Sequence, residues 1–133
     1  MRYRIVSNTP LTAAVHRMVL AGDTASLRRP GQFVQVQVPG FYLRRPISVC
    51  DWDADTLTLV YKVVGQGTDA MADMAPDAEV DLLSGLGNGF DTGLMGERPL
   101  LIGGGVGLPP MVGLCRTLLA EGKYPSVLAA FNT

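Results

Sequence analysis

The chain has 133 residues, 47% of them hydrophobic and 17% charged, with a formal net charge of −1. This is a globular composition sized for one domain, or for one domain with a piece of another. It excludes a broad basic surface for nucleic acid. No apolar run reaches the roughly 18 residues of a membrane span, and MRYRIVSNTP lacks a secretory apolar core, so a soluble cytoplasmic protein is expected.

Arg2–Ser7 and Thr12–Ala21 read as a first pair of strands, with Asn8-Thr9-Pro10 as the turn between them. His16, the sole histidine, falls in the second strand at a position expected to face solvent, which leaves histidine-based metal sites and a Ser–His–Asp triad without support. Gln32–Val38 alternates apolar residues with glutamines, the mark of a half-buried strand, and Pro39-Gly40 ends it. Arg44-Arg45-Pro46 comes next. Proline forgoes a ladder donor and suits a strand entrance or edge. Two adjacent guanidiniums call for solvent, carboxylates or phosphates. Ile47–Asp51 and Thr56–Val64 form a hairpin around Trp52-Asp53-Ala54-Asp55, and Glu79–Ser84 is a sixth strand. Between the last two strands, Thr68–Ala75 reads as a short helix with Thr68 as N-cap and Pro76 beyond it. Six short strands with regular turns predict a closed antiparallel barrel, because closure removes exposed edges.

After residue 95 the pattern changes. Arg98–Ile102 reads as a fully buried strand, Gly103–Gly107 as a loop, Met111–Glu121 as a helix and Ser126–Phe131 as a second strand. This is the first β-α-β unit of a parallel α/β domain. One such unit cannot cover both faces of its sheet, so a fragment of a longer protein is expected, divided into residues 1–95 and 96–133. Cys50 and Cys115 form no CxxC pair and are expected to be free thiols.

Three glycine stretches stand out: Val64–Thr68, Gly85–Phe90 and Gly103–Gly107. None matches GxGxxG or GxxxxGK[ST], and as bare motifs they read as turns. Position favours two of them. Gly67-Thr68 opens the barrel's helix, and Gly103–Gly107 lies between a strand and a helix, so both are candidate phosphate cradles. With the arginine pair, a dinucleotide is the economical common ligand. Surface charge for Arg44 and Arg45, and an ordinary strand end for Tyr61-Lys62, stay open as structural alternatives.

The run LRRPISV, followed by LVYKVVGQGT, LGNGF and IGGGVGLPP, resembles the electron-transfer subunits of NAD-dependent (type B) dihydroorotate dehydrogenase, within the ferredoxin reductase superfamily. The resemblance covers essentially all of this chain but only about the N-terminal half of a full member. It implies a six-stranded Greek-key barrel binding FAD, followed by an α/β domain facing NAD. Arg45 would neutralise the FAD pyrophosphate. Ser48 would hydrogen-bond the isoalloxazine, with Pro46 and Ile47 shaping its pocket. Val60, Tyr61 and Lys62 would line the ring and ribityl chain, and Gly67 and Thr68 would hold phosphate. Gly104, Gly105, Val106 and Gly107 would face the pyridine nucleotide. The partner implied is an FMN-containing dihydroorotate dehydrogenase catalytic subunit in pyrimidine biosynthesis.

Two departures from the family pattern matter. Ser84-Gly85 replaces the first two residues of the usual GPLGNGF, which implies a local loop change. The four-cysteine motif for a 2Fe–2S cluster is absent, and two cysteines cannot replace it. No metal ligand, catalytic acid or catalytic base is assigned. Two other readings remain: a related reductase subunit serving ferredoxin or NADP in another complex, and a cofactor-free barrel acting as an interaction module.

Overall fold

The computed structural model describes residues 1–132. Its first six strands are β1 (Arg2–Pro10), β2 (Val15–Ala21), β3 (Phe33–Val36), β4 (Arg45–Trp52), β5 (Thr56–Lys62) and β6 (Glu79–Leu86). They close in the order β1-β2-β5-β4-β3-β6, with every neighbouring pair antiparallel. The β3-β4-β5 meander with β2 returning beside β5 is a Greek key. Period-two alternation fills the interior: Tyr3, Ile5, Met18, Leu20, Val34, Val36, Leu57, Leu59, Val80 and Leu82 are all buried.

Three features differ from the sequence reading, two through side chains with backbone partners and one through a ring stack. β1 runs through Asn8-Thr9-Pro10, and the turn falls after it, where the Thr12 hydroxyl accepts the N–H groups of Ala14 and Val15. Asn8 instead donates to the carbonyls of Met71 and Met74 at the end of the barrel's helix. Gln32 shares the parity of Val34 and Val36 and is buried. Its amide accepts the N–H groups of Arg28 and Arg29 and donates to the carbonyls of Gly85 and Gly87, which ties two loops together. His16 does not face open solvent. It shares the parity of Met18 and Leu20, lies opposite Tyr61, and stacks on that ring at 5.8 Å.

The helix between β5 and β6, α1 (Gln66–Ala72), has its N-cap at Gly65, three residues before the Thr68 that its sequence suggests, and it ends at Ala72 rather than Ala75. β7 (Leu100–Gly104) and β8 (Ser126–Ala130) form a parallel two-stranded sheet joined through α2 (Pro109–Ala120). Leu101, Leu114 and Leu118 make a small core separate from that of the barrel. β7 is not the fully buried strand expected. Leu100 and Ile102 are 62% and 66% exposed, because a single helix covers one face of this sheet and the other face is bare among the described residues. Cys50 and Cys115 are free thiols. No helix among the described residues is long and apolar enough to cross a membrane.

Candidate functional site

β4 and β5 pair only along part of their length. Trp52 faces Leu57, Asp51 faces Thr58 and Val49 faces Leu59, with a register shift at Cys50. Beyond Val49 and Leu59 the strands diverge. Arg45–Ser48 remain paired with β3 on one side, and Val60–Lys62 with β2 on the other. Backbone groups on the facing sides have no ladder partner, and a cleft of about 390 Å³ opens beside them.

The cleft gathers most of the residues singled out by sequence. β4 contributes Arg45, Pro46, Ile47 and Ser48, and β5 contributes Val60, Tyr61 and Lys62; Val64 and Thr68 close one end. Pro46 and Ser48 are exposed, whereas Ile47 packs partly against the barrel core. Tyr61 borders the cleft, but its ring is 1% exposed and belongs to the barrel interior. Its hydroxyl donates to Asn8 Oδ1 at 2.8 Å. Burial pushes its phenol pKa up, with the Asn8 bond acting the other way.

Arg45 and Arg44 have different surroundings. The Arg45 guanidinium lies 5.2 Å from the Phe41 ring centroid, donates to the Leu43 carbonyl, and has no carboxylate partner among the described residues. Gly67 lies directly beneath it; a Cβ there would come within 2.2 Å of Arg45 Nε. Arg44 is not a free surface charge. It pairs with Asp81 at 3.3 Å and donates to the Gln35 carbonyl and to Gln37, strapping β3 to β6.

Thr68 is the third residue of α1 rather than its N-cap. Its hydroxyl accepts the N–H groups of Val64 and Gly65, at 2.9 and 3.2 Å, and donates to the Gly65 carbonyl. That hydroxyl is committed to the turn entering the helix. Of α1, Thr68 lines the cleft and Gln66 and Gly67 do not; the N–H groups of these three residues precede the first intrahelical bond, from Asp69 to Gly65.

Of the glycine run Gly103–Gly107, only Val106 reaches the cleft; Gly104, which is the last residue of β7, and Gly105 and Gly107 of the turn after it do not line it. Val106 sits in a 3₁₀ turn, Gly105–Gly107, in which Gly105 adopts φ +54°. Sequence reasoning missed Asn8, His16 and the strand divergence. For His16 a signal was present, the parity it shares with Met18 and Leu20. Its Nδ1 atom is buried without a hydrogen-bond partner.

No family model matches the chain. Among curated proteins, the chain is 36% identical over 137 residues to "Dihydroorotate dehydrogenase B (NAD(+)), electron transfer subunit" of Geobacillus sp. (strain WCH70), covering 97% of this chain and 53% of that protein. It is 38% identical over 125 residues to the protein of the same name in Enterococcus faecalis (strain ATCC 47077 / OG1RF), covering 89% and 48%. The chain thus spans about half the length of the curated relatives it matches. Among solved structures, an NADH-dependent reduced ferredoxin-NADP oxidoreductase superposes with TM-score 0.87 at 25% identity, covering 98% of this chain and 49% of that one. Phthalate dioxygenase reductase shares the fold, with TM-score 0.79 at 23% identity over 98% of this chain and 43% of its own. The chain is a homologue of the electron transfer subunits of dihydroorotate dehydrogenase B, built on the ferredoxin reductase-like barrel fold.

Proposed function

We propose that this chain holds FAD in the cleft between β4 and β5. As part of a cytoplasmic electron-transfer subunit, it passes electrons from an FMN-containing, dihydroorotate-oxidising partner to NAD in pyrimidine biosynthesis. One observation carries the reading. Beside the cleft, an arginine without a carboxylate partner among the described residues lies over a helix start whose first backbone N–H groups precede any intrahelical bond. An uncompensated guanidinium beside oriented amides suits a pyrophosphate.

The residues divide the cofactor between them. Arg45 and the amides of Gln66, Gly67 and Thr68 bind the pyrophosphate, with Gly67 allowing the arginine to lie close. The exposed Ser48 hydroxyl hydrogen-bonds the ring. Pro46, Ile47 and Val60 exclude water from it, Lys62 stands at the ribityl side, and Tyr61 supports the floor from within the barrel. FAD supplies the exchange between two-electron and one-electron transfer. The side chains orient and shield, and none acts as acid or base.

Residues 1–95 form the flavin-binding domain, and residues 96–133 begin the NAD-facing domain, of which Thr133 lies outside the described residues. Gly104–Gly107 approach the pyridine nucleotide, with Val106 nearest the flavin. The chain's two cysteines are too few for a four-thiolate 2Fe–2S cluster, so no cluster is assigned to this chain.

FAD titration of the purified chain tests the cofactor, through a flavin band near about 450 nm and a rise in melting temperature. A chain that takes up no FAD overturns the reading. The likeness to a ferredoxin-NADP oxidoreductase supports a second reading, a reductase subunit of another complex. Reconstitution with a dihydroorotate-oxidising subunit separates the two, since only the first predicts dihydroorotate-dependent flavin reduction.

A further inference from the structure

β4 does two things along its length. Its first half, Arg45–Ser48, lines the cleft, and its second half, Cys50–Trp52, receives α2. The register shift at Cys50 separates the halves and re-aims the residues that follow it. Gly113 of α2 sits against the Cys50 carbonyl so closely that a Cβ would lie 2.9 Å from that oxygen. One turn later, Arg116 places Nε 2.8 Å from Asp51 Oδ1, with a terminal nitrogen at 2.7 Å from the same oxygen. It also donates to the Trp52 carbonyl at 3.3 Å, and its guanidinium lies 5.6 Å from the Trp52 ring centroid. The Asp51 carboxylate is itself held by the Trp52 N–H at 2.9 Å.

We infer that Arg116 is a positioning residue: by clamping α2 to the second half of β4, it holds Val106 as the outer wall of the cleft over the first half. This rests on the flavin reading of that cleft. Val106 and α2 move as one piece. The Leu108 N–H bonds the Gly105 carbonyl and the Met111 N–H bonds the Leu108 carbonyl, so turn and helix are continuous. Among the described residues, Val106 is the one cleft-lining residue that comes from outside the barrel strands and the β5–α1 segment. The opposite face of α2 packs Leu114 and Leu118 on Leu101 of β7. Gly113 sets the separation of helix and strand but offers no side chain to resist rocking. Arg116, with one hydrogen bond and one ion-pair contact to the same Asp51 oxygen, a second hydrogen bond to the Trp52 carbonyl and its guanidinium over the Trp52 ring, fixes the orientation. Arg116 and Asp51 are 50% and 32% exposed, so the pair adds little to global stability and its effect is geometric.

The test uses the full chain as wild type, Arg116→Ala, Arg116→Lys and Asp51→Asn. Hydrogen exchange without cofactor should show residues 103–108 exchanging at least about threefold faster in Arg116→Ala, with β2 and β5 unchanged. With FAD bound to equal saturation, quenching of flavin fluorescence by neutral acrylamide should rise about twofold or more in Arg116→Ala and Asp51→Asn, and Arg116→Lys should recover part of the difference. Unchanged exchange at 103–108, or unchanged quenching in the two clamp-breaking variants, overturns the inference. A wild-type chain that binds no FAD overturns the proposed function instead, and the exchange arm then decides by itself whether the clamp holds the turn.

Discussion

Gly67→Ala separates the cleft's chemistry from the chain's stability more cleanly than removing a charge would. The added methyl would stand 2.2 Å from Arg45 Nε and 2.7 Å from its Cζ. Carbon contacts in folded proteins settle at about 3.5–4.0 Å, so the guanidinium must retreat by about 1–2 Å. Arg45 can do this, because the clash is with the far end of a flexible side chain rather than with backbone. The helix itself gains, since alanine is favoured over glycine in a helix by about 0.5–1 kcal/mol. The melting temperature should therefore hold or rise slightly. FAD affinity should fall, because a displaced guanidinium loses most of a charge-assisted hydrogen bond worth about 1.5–3 kcal/mol, or about 10- to 150-fold in Kd. Fluorescence titration with FAD, paired with a thermal melt, reads both quantities. A variant that melts like wild type and binds FAD within twofold of it would refute the placement of the pyrophosphate under Arg45.

Four further outcomes follow from the same geometry. Arg45→Ala should weaken FAD by the same about 10- to 150-fold, whereas Arg44→Ala should leave affinity unchanged and lower the melting temperature, because Arg44 straps β3 to β6 through Asp81. Equal affinity losses in a titration of both variants would mean a diffuse basic patch. Tyr61→Phe removes the 2.8 Å bond to Asn8 from a buried site and should destabilise the chain by about 1–2 kcal/mol in urea unfolding. The N-terminal ammonium first, and then Arg44, hold the Asp81 carboxyl below the usual carboxylate range. A depressed native pKa contributes stability that is complete above the unfolded value of about 3.9 and is lost as pH falls through the native value, so Asp81→Asn should flatten the stability decline below about pH 4 in acid titration. Burial foremost, with Asp51 beside it, pushes the Cys50 thiol pKa up, so alkylation at pH 8 should modify Cys115 first and Cys50 only slowly, as peptide mass mapping will show.

The strands were legible because side chains alternate with period two and Gly, Pro, Asn and Asp mark the turns. The cleft's roster was legible from Arg45-Pro46-Ile47-Ser48 and Val60-Tyr61-Lys62, which the structure brings to one place. What failed were judgements in which polarity outweighed parity. His16 and Gln32 share the parity of buried neighbours and follow it inward, where a ring stack holds one and four backbone bonds hold the other. Thr68 has the composition of an N-cap, yet its hydroxyl reaches back to Val64 and Gly65 from the third helical position. Contacts across long separations left no local signal. The approach of Arg45 to Gly67, the strap from Arg44 to Asp81 and the clamp from Arg116 to Asp51 all depend on how the barrel closes.

The divergence of β4 and β5 is the feature on which site and fold meet. A hairpin around Asp53 starts well paired, with the Asp53 carboxylate accepting the N–H groups of Asp55 and Thr56. Full pairing to the strand ends would set Ser48 against Val60 and Ile47 against Tyr61 and leave no cleft. The register shift at Cys50 and Pro46, which cannot donate to a ladder, both work against such pairing, and each strand keeps a partner on its other side. The barrel therefore stays closed elsewhere while one seam opens toward α1 and Val106. Backbone groups along that seam need hydrogen-bond partners from outside the sheet. Water can serve them, but so can the polar edge of a flat heterocycle, which also covers the apolar faces of Pro46 and Val60. A bound flavin ring would in this way complete the seam that the two strands leave open, and its phosphates would meet the cation and the helix amides at the end.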